Sequence, residues 1–249
     1  MFSSKPISLL TFSLFFFIFL NAATAADPLF HFCFNKENYT ANSPFGANLN
    51  ELLSSLSIKV PPTGFGVTST GKLGDNQVNG LGLCRGDVSS ADCKTCIVEA
   101  AKELQSRCPY NKGAVIWYDN CLLKYSDNYF FGQIDDTNRF YMWNVQDVED
   151  PKSFDPKVKQ LLSSVSDKAS AISKLYATGE LVLGTGPDPK LYGLAQCTRD
   201  LKGLDCKKCL DDSISLLPNF SSGKRGGRVV GGSCYVRYEL YPIVDAQKV

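Results

Sequence analysis

The sequence predicts an α+β protein built as two tandem domains, each with two helices packed on an antiparallel sheet. Three observations carry this. A cysteine triplet with eight and then two intervening residues occurs twice, as "CRGDVSSADCKTC" from Cys84 to Cys96 and as "CTRDLKGLDCKKC" from Cys197 to Cys209. A single shift of 113 residues places Cys84, Cys93, Cys96 and Cys121 on Cys197, Cys206, Cys209 and Cys234. Inside each copy, stretches of helical periodicity alternate with short runs of strand-forming residues. A period of domain size means tandem duplication rather than a solenoid.

The chain opens with one charge, Lys5, then an apolar run over 7–20 and small residues up to Ala25. This is the layout of a secretory signal peptide, expected to span 1–25 and to be removed. The run falls short of the ~20 apolar residues a membrane span requires, and no second such run follows. A secreted, extracellular protein without a membrane span is expected.

The first domain is expected over 27–131. Ser43-Pro44 is a helix start, and Leu49, Leu52, Leu53 and Leu56 form one face of the helix that follows. A second helix starts after a cap at Ser89 or Ser90; Cys93, Cys96, Ile97, Ala100, Ala101 and Leu104 make its apolar face. Strands are expected in "HFCFN", "GFGVTST", "VNGLGLC" and "GAVIWYDNCLLKY". The second domain, expected over 138–247, repeats the pattern with helices in "DPKVKQLLSSVSDKASAI" and "LDCKKCLDDSISLL" and strands in "GGRVVGGSCYVRYELY". The boundary falls in "FGQIDDTNRFYMWNVQD".

The ten cysteines read as disulfides, because the secretory route is oxidising. The first domain has two that the second lacks: Cys33 and Cys108 fall under the shift on Gln146 and Ser221. Two cysteines absent together are the trace of one lost bridge, Cys33–Cys108. Cys93 and Cys96 lie one helical turn apart and pair poorly with each other. The spacing favours Cys84–Cys93 with Cys96–Cys121, and correspondingly Cys197–Cys206 with Cys209–Cys234; it also permits the crossed arrangement Cys84–Cys96 with Cys93–Cys121. A zinc site needs free thiolates, and the sole histidine, His31, adds little. No metal and no cofactor is expected.

The C-x8-C-x2-C spacing, the strand "GGRVVGGSCYVRYE" and the tandem layout resemble plant cysteine-rich repeat secretory proteins with ginkbilobin-homologous domains. The same domain occurs in the ectodomains of cysteine-rich receptor-like kinases and plasmodesmata-located proteins. The resemblance implies five strands and two helices per domain, and first-to-fifth, second-to-third and fourth-to-sixth cysteine pairing. It also implies a mannose site made of an Asn beside the first cysteine, an Arg in the "GARV"-like strand and a Glu shortly after the last cysteine. In the second domain Arg228 and Glu239 match the last two, and the shift puts the Asn position near Asp147. In the first, Val115 and Ser126 stand at the Arg and Glu positions, and Phe34 follows Cys33.

Other features exclude more than they assign. No G-x-S-x-G, H-E-x-x-H or phosphate-loop pattern is present, so no enzyme is expected. Asp135-Asp136 and Asp211-Asp212 are adjacent pairs and read as solvated surface rather than a glycosidase dyad. Without Lys5, 25 basic residues face 25 acidic ones; this balance argues against nucleic acid as a partner. Lys224, Arg225, Arg228 and Arg237 form a basic cluster suited to an acidic polymer such as pectin, or else an ordinary solvated surface; Arg228 and Glu239 alternatively read as a cross-strand ion pair. Arg85-Gly86-Asp87 spells an adhesion tripeptide but reads Thr198-Arg199-Asp200 in the second repeat. Asn38 and Asn219 head N-glycosylation sequons. The functional expectation is a non-enzymatic apoplastic protein of plant defence or stress that binds a mannose-like or cell-wall carbohydrate, or an apoplastic protein. The alternative is a pure protein-interaction module like a free receptor ectodomain.

Overall fold

The computed structural model describes residues 27–184 and 190–244; the leader over 1–25 lies outside them. The first unit runs β1 (Phe30–Cys33), α1 (Pro44–Lys59), β2 (Phe65–Lys72), β3 (Asp75–Cys84), α2 (Ser90–Arg107), β4 (Gly113–Trp117) and β5 (Cys121–Ser126). The second runs β6 (Arg139–Trp143), α3 (Pro151–Ser170), β7 (Tyr176–Val182), β8 (Lys190–Cys197), α4 (Gly203–Leu216), the single turn α5 (Pro218–Ser221), β9 (Gly226–Gly231) and β10 (Cys234–Glu239). Each unit forms one antiparallel five-stranded sheet, ordered β1-β4-β5-β3-β2 and β6-β9-β10-β8-β7. The order is the same in both copies. The α+β class with helices on five-stranded sheets is therefore what the chain adopts. The one extra element is α5: Pro218 lacks the N–H to continue α4, so that helix stops short of the length of α2.

Local chemistry sets the helix starts. The Ser43 hydroxyl accepts the Gly46 N–H at the head of α1, with Pro44 in the first turn. Ser89, not Ser90, caps α2 by accepting the Asp92 N–H. The sulfurs fix the helices to the sheets. Cys84–Cys93 ties the end of β3 to the first turn of α2, and Cys96–Cys121 ties the next turn to β5. Cys197–Cys206 and Cys209–Cys234 do the same in the second unit, and Cys33–Cys108 fastens β1 to the end of α2. The crossed arrangement does not form, and no described cysteine is free.

Each sheet buries its helix-facing side in its own core. Val78, Ile116, Leu123 and Tyr125 meet α1 and α2; Leu191, Ala195, Val229 and Val236 meet α3 and α4. The opposite sides pack the two units together. Leu81, Leu83, Val115, Trp117 and Leu122 cluster with Val230, and Phe140 and Tyr235 close the cluster from the second unit. Residues that alternate along one strand therefore face two different cores, which is why β4 and β5 are buried at every position. Trp117 Nε1 donates to the Gly231 carbonyl at 3.0 Å, and Gln196 Nε2 to the Cys84 carbonyl at 3.0 Å.

The contacts at the rim repeat with a pseudo-two-fold relation. The turn after β3 meets the start of β7, where Tyr176 donates to Asp87 at 3.1 Å. The Tyr176 ring fills the space over Gly86, leaving 2.2 Å for any added Cβ. The turn after β8 meets the start of β2, where Arg199 donates to the Thr63 carbonyl and lies 5.4 Å from the Phe65 ring. The Arg-Gly-Asp tripeptide is thus an interface clamp: Arg85 holds Asp87 in a two-pronged pair at 2.6 and 2.8 Å. Along β6, Phe140 packs into the cluster between the units and Tyr141 stacks on Phe220 at 3.7 Å. Trp143 and Val145 instead point to solvent, 50% and 86% exposed, because they sit at and beyond the end of an edge strand.

The linker carries a buried ion pair. Lys124 and Asp135 meet at 2.6 Å with side chains 7% and 8% exposed. Burial alone would raise the Asp135 pKa, but the Lys124 charge and hydrogen bonds from Lys124 and Asn138 outweigh it, and the net shift is downward. The Asp87 carboxyl is lowered the same way, with Arg85 overcoming burial. A depressed folded pKa contributes stability that is full above the unfolded value of about 3.9 and is lost as the pH falls below it. The thermal midpoint should therefore hold steady above about pH 5 and fall below about pH 4. The gap between the natural protein and Asp135→Asn should shrink over the same interval. A gap of equal size at pH 3 and pH 7 would contradict this origin.

Candidate functional site

The candidate site lies where the outer side of the second sheet reaches its β6 edge. Register builds it. Trp143 pairs with Gly227 and Met142 with Arg228, while Gly227 and Arg228 pair with Tyr238 and Arg237. Asn144 continues the strand by donating its N–H to the Gly226 carbonyl at 2.8 Å. Met142, Trp143, Asn144, Gly227, Arg228, Glu239 and Tyr241 line a cleft of about 160 Å³. Trp143 and Tyr241 are each about half exposed. Gly226 leaves room for the Glu239 carboxylate, which folds over the bare backbone: a Cβ there would come within 1.9 Å of it and displace it.

The charged groups are engaged. Glu239 accepts from Arg237 Nε at 2.9 Å, and both side chains are under a tenth exposed. Arg237 also donates to the Tyr241 hydroxyl at 2.9 Å. Burial pushes the Arg237 pKa down, but Tyr235 and Glu239 beside it push further the other way, so it stays a cation. Arg228 reaches across the unit boundary to Asp119 at 2.8 Å. The cross-strand ion pair between Arg228 and Glu239 is not what forms. β9 and β10 set Arg228 opposite Arg237; the nearest carboxylate to Arg228 is that of Asp119 and the nearest to Arg237 is that of Glu239.

The position of the asparagine is also corrected. Asp147 lies past the strand, forms an isolated bridge with Lys224 and pairs with it at 2.6 Å; it lines a different depression, with Arg225 and Glu149. In the first unit Cys33 pairs with Ala114, and in the second Trp143 pairs with Gly227, the residue 113 positions on from Ala114. Trp143 therefore stands in place of Cys33, and Asn144 is the residue beside it. The constant shift fails here because three more residues separate β6 from β9 than separate β1 from β4: Trp143 lies 84 positions before Gly227, whereas Cys33 lies 81 before Ala114. Asn144, Arg228 and Glu239 line one cleft.

The equivalent place in the first unit is closed. Lys124 occupies the Arg237 position; the Phe130 ring lies 4.4 Å from its Nζ, Phe34 lies 5.7 Å away, and Asp135 holds it. The linker thus fills what would be the first unit's cleft. The basic cluster is not an open cationic face either: Lys224, Arg228 and Arg237 are each paired with a carboxylate. Asn38 and Asn219 are exposed, whereas the sequon partner Ser221 is buried, its hydroxyl donating to the Leu217 carbonyl. The cluster of His31, Cys33 and Cys108 has metal-ligand proximity, but both sulfurs are spent in a disulfide. Among the described residues no helix is long and apolar enough to cross a membrane.

Comparison with known proteins matches this architecture. A profile of the salt stress response/antifungal family matches residues 32–128 and 143–241. The chain is 67% identical to an antimicrobial ginkbilobin-2-like protein of Castanea crenata, over 91% of this chain and 93% of that one. It is 54% identical to cysteine-rich repeat secretory protein 38 of Arabidopsis thaliana, over 87% and 85%. Among solved structures, the tandem DUF26 ectodomain of the Arabidopsis cysteine-rich receptor-like protein PDLP8 superposes with a TM-score of 0.73 at 30% identity, over 85% of this chain and 97% of that one.

Proposed function

This chain belongs to the salt stress response/antifungal family of secretory cysteine-rich repeat proteins, and from that membership we propose that it is a non-catalytic apoplastic protein that holds a sugar residue in the cleft of its second unit, in a defence or stress setting. The observation that carries the proposal is the convergence of Asn144, Arg228 and Glu239 between the half-exposed rings of Trp143 and Tyr241. An amide offers both a donor and an acceptor, a carboxylate accepts, and a guanidinium donates in a fixed fork. Vicinal hydroxyls need that mixture, and flanking rings suit the apolar face of a sugar. The volume is below that of a drug-sized pocket, which fits one ring rather than a chain. The antimicrobial name of the Castanea relative is consistent with this setting.

A second reading, a protein-interaction module, is favoured by one observation: Asp119 already occupies Arg228, so the cleft is satisfied without a ligand. A glycan array probed with the natural protein and with Arg228→Ala separates the two. The sugar reading expects a defined set of glycans whose signal disappears in the variant. A blank array from folded protein would remove it and leave the interaction module.

A further inference from the structure

The cleft is also where the two units meet by charge. Asp119 belongs to the turn between β4 and β5 of the first unit. Its Oδ1 lies 2.8 Å from Arg228 Nη1 and 3.6 Å from Arg237 Nη1. The Arg228 and Arg237 side chains are 13% and 8% exposed, that of Glu239 is 6% exposed, and that of Asp119 is 52% exposed. Two cations and one anion are therefore built into the second sheet, leaving one positive charge. The anion that balances it comes from outside the sheet, on an exposed turn. Arg237 keeps Glu239 and Tyr241 as further partners; Asp119 is the only carboxylate recorded against Arg228 among the described residues. The turn itself does not depend on that carboxylate, because Arg85 Nη1 donates to the Asp119 backbone carbonyl at 3.2 Å.

A half-exposed carboxylate gains little from such a pair, and a ligand carboxylate could replace it with the charge count unchanged. We infer that Asp119 stands in for a ligand carboxylate, and that the cleft takes an acidic sugar: a uronate whose carboxylate displaces Asp119 on Arg228 while its hydroxyls reach Asn144 and Glu239. Asp119 is then a positioning and competing residue supplied by one unit to the site of the other. This rests on the sugar reading above and narrows its ligand class. A uronate is held on Arg228 by a charge-assisted pair, in two-pronged geometry if both oxygens engage, so binding should weaken as salt rises.

Titration calorimetry on the full mature chain tests it, with trigalacturonate, its methyl ester and mannotriose as probes. The natural protein should bind the acid and not the ester. Asp119→Asn, which keeps the backbone carbonyl, should bind the acid about two- to fivefold more tightly, the equivalent of an exposed ion pair removed from competition. Asp119→Ser should do the same, and Arg228→Ala should abolish binding. Equal binding of acid and ester, or a preference for mannotriose, overturns the carboxylate inference and leaves the sugar reading intact. Weaker binding by both Asp119 variants, with unchanged unfolding profiles, overturns the competing role. Failure of all three probes, together with a blank glycan array, removes the sugar reading itself.

Discussion

Replacing Trp117 by alanine is expected to split the thermal unfolding of the chain into two transitions. Trp117 is 2% exposed and stands at the centre of the cluster between the sheets. Its ring meets Phe32 at 5.8 Å and Phe140 at 5.3 Å, and its Nε1 reaches the Gly231 carbonyl. Its β4 neighbours Ala114 and Ile116 face the helices of the first unit, so the truncation spares that core. Loss of a buried Trp costs about 3–5 kcal/mol, here with a buried carbonyl left unpaired as well. Because Trp117 joins the units, the loss falls mainly on their coupling. The natural chain should melt once, since the interface has the packing of a core rather than a hinge. The variant should show a second unit that melts earlier than the first, as scanning calorimetry would resolve. A single transition shifted as a whole would mean the rim contacts at Tyr176 and Arg199 are sufficient to couple the units.

Much of this was legible in the residues. Four cysteines coinciding under one shift fixed the duplication, and the helix caps at Ser43 and Ser89 are local chemistry that a sequence displays. The interface was less legible. Leu81, Leu83, Val115 and Leu122 read as ordinary strand residues; nothing in a period-two pattern says whether a second apolar face meets solvent or another sheet. The near-continuous apolar character of "GAVIWYDNCLL" was the available signal. The site was misread at one position for a simpler reason. A rigid shift assumes equal spacing, and the three extra residues between β6 and β9 moved the asparagine from the neighbourhood of Asp147 to Asn144. The pairing of Arg228 with Asp119 was out of reach, since the two lie on different units and meet only through the packing of the sheets.

The corrected alignment yields the second large effect. If Trp143 occupies the place of Cys33, and Ser221 that of Cys108, then Trp143→Cys with Ser221→Cys should restore the bridge the second unit lacks. Two contacts support the geometry. Gly227 is the register partner of Trp143, and the Ser221 Cβ lies 2.6 Å from where a Gly227 Cβ would stand. Ser221 is therefore packed against the very segment that pairs with position 143, as Cys108 must be to reach Cys33 across a Cα separation of 5.4 Å. Little is lost in the exchange. Trp143 is half exposed, and the hydrogen bond that Tyr238 donates to Ser221 uses the backbone carbonyl. The new bridge would close a loop similar to the 75-residue separation in the first unit. In the chain-entropy model such a closure contributes on the order of 4 kcal/mol, commonly reduced by strain, so a gain of about 2–4 kcal/mol is expected in the second unit. It should be clearest in the Trp117→Ala background, where the earlier transition should move back toward the later one. Mass spectrometry without reduction should find six bridges and no free thiol. Two thiols that remain open to labelling, or a bridged protein whose second transition does not rise, would show that β6 and the turn at Ser221 do not approach as their register implies.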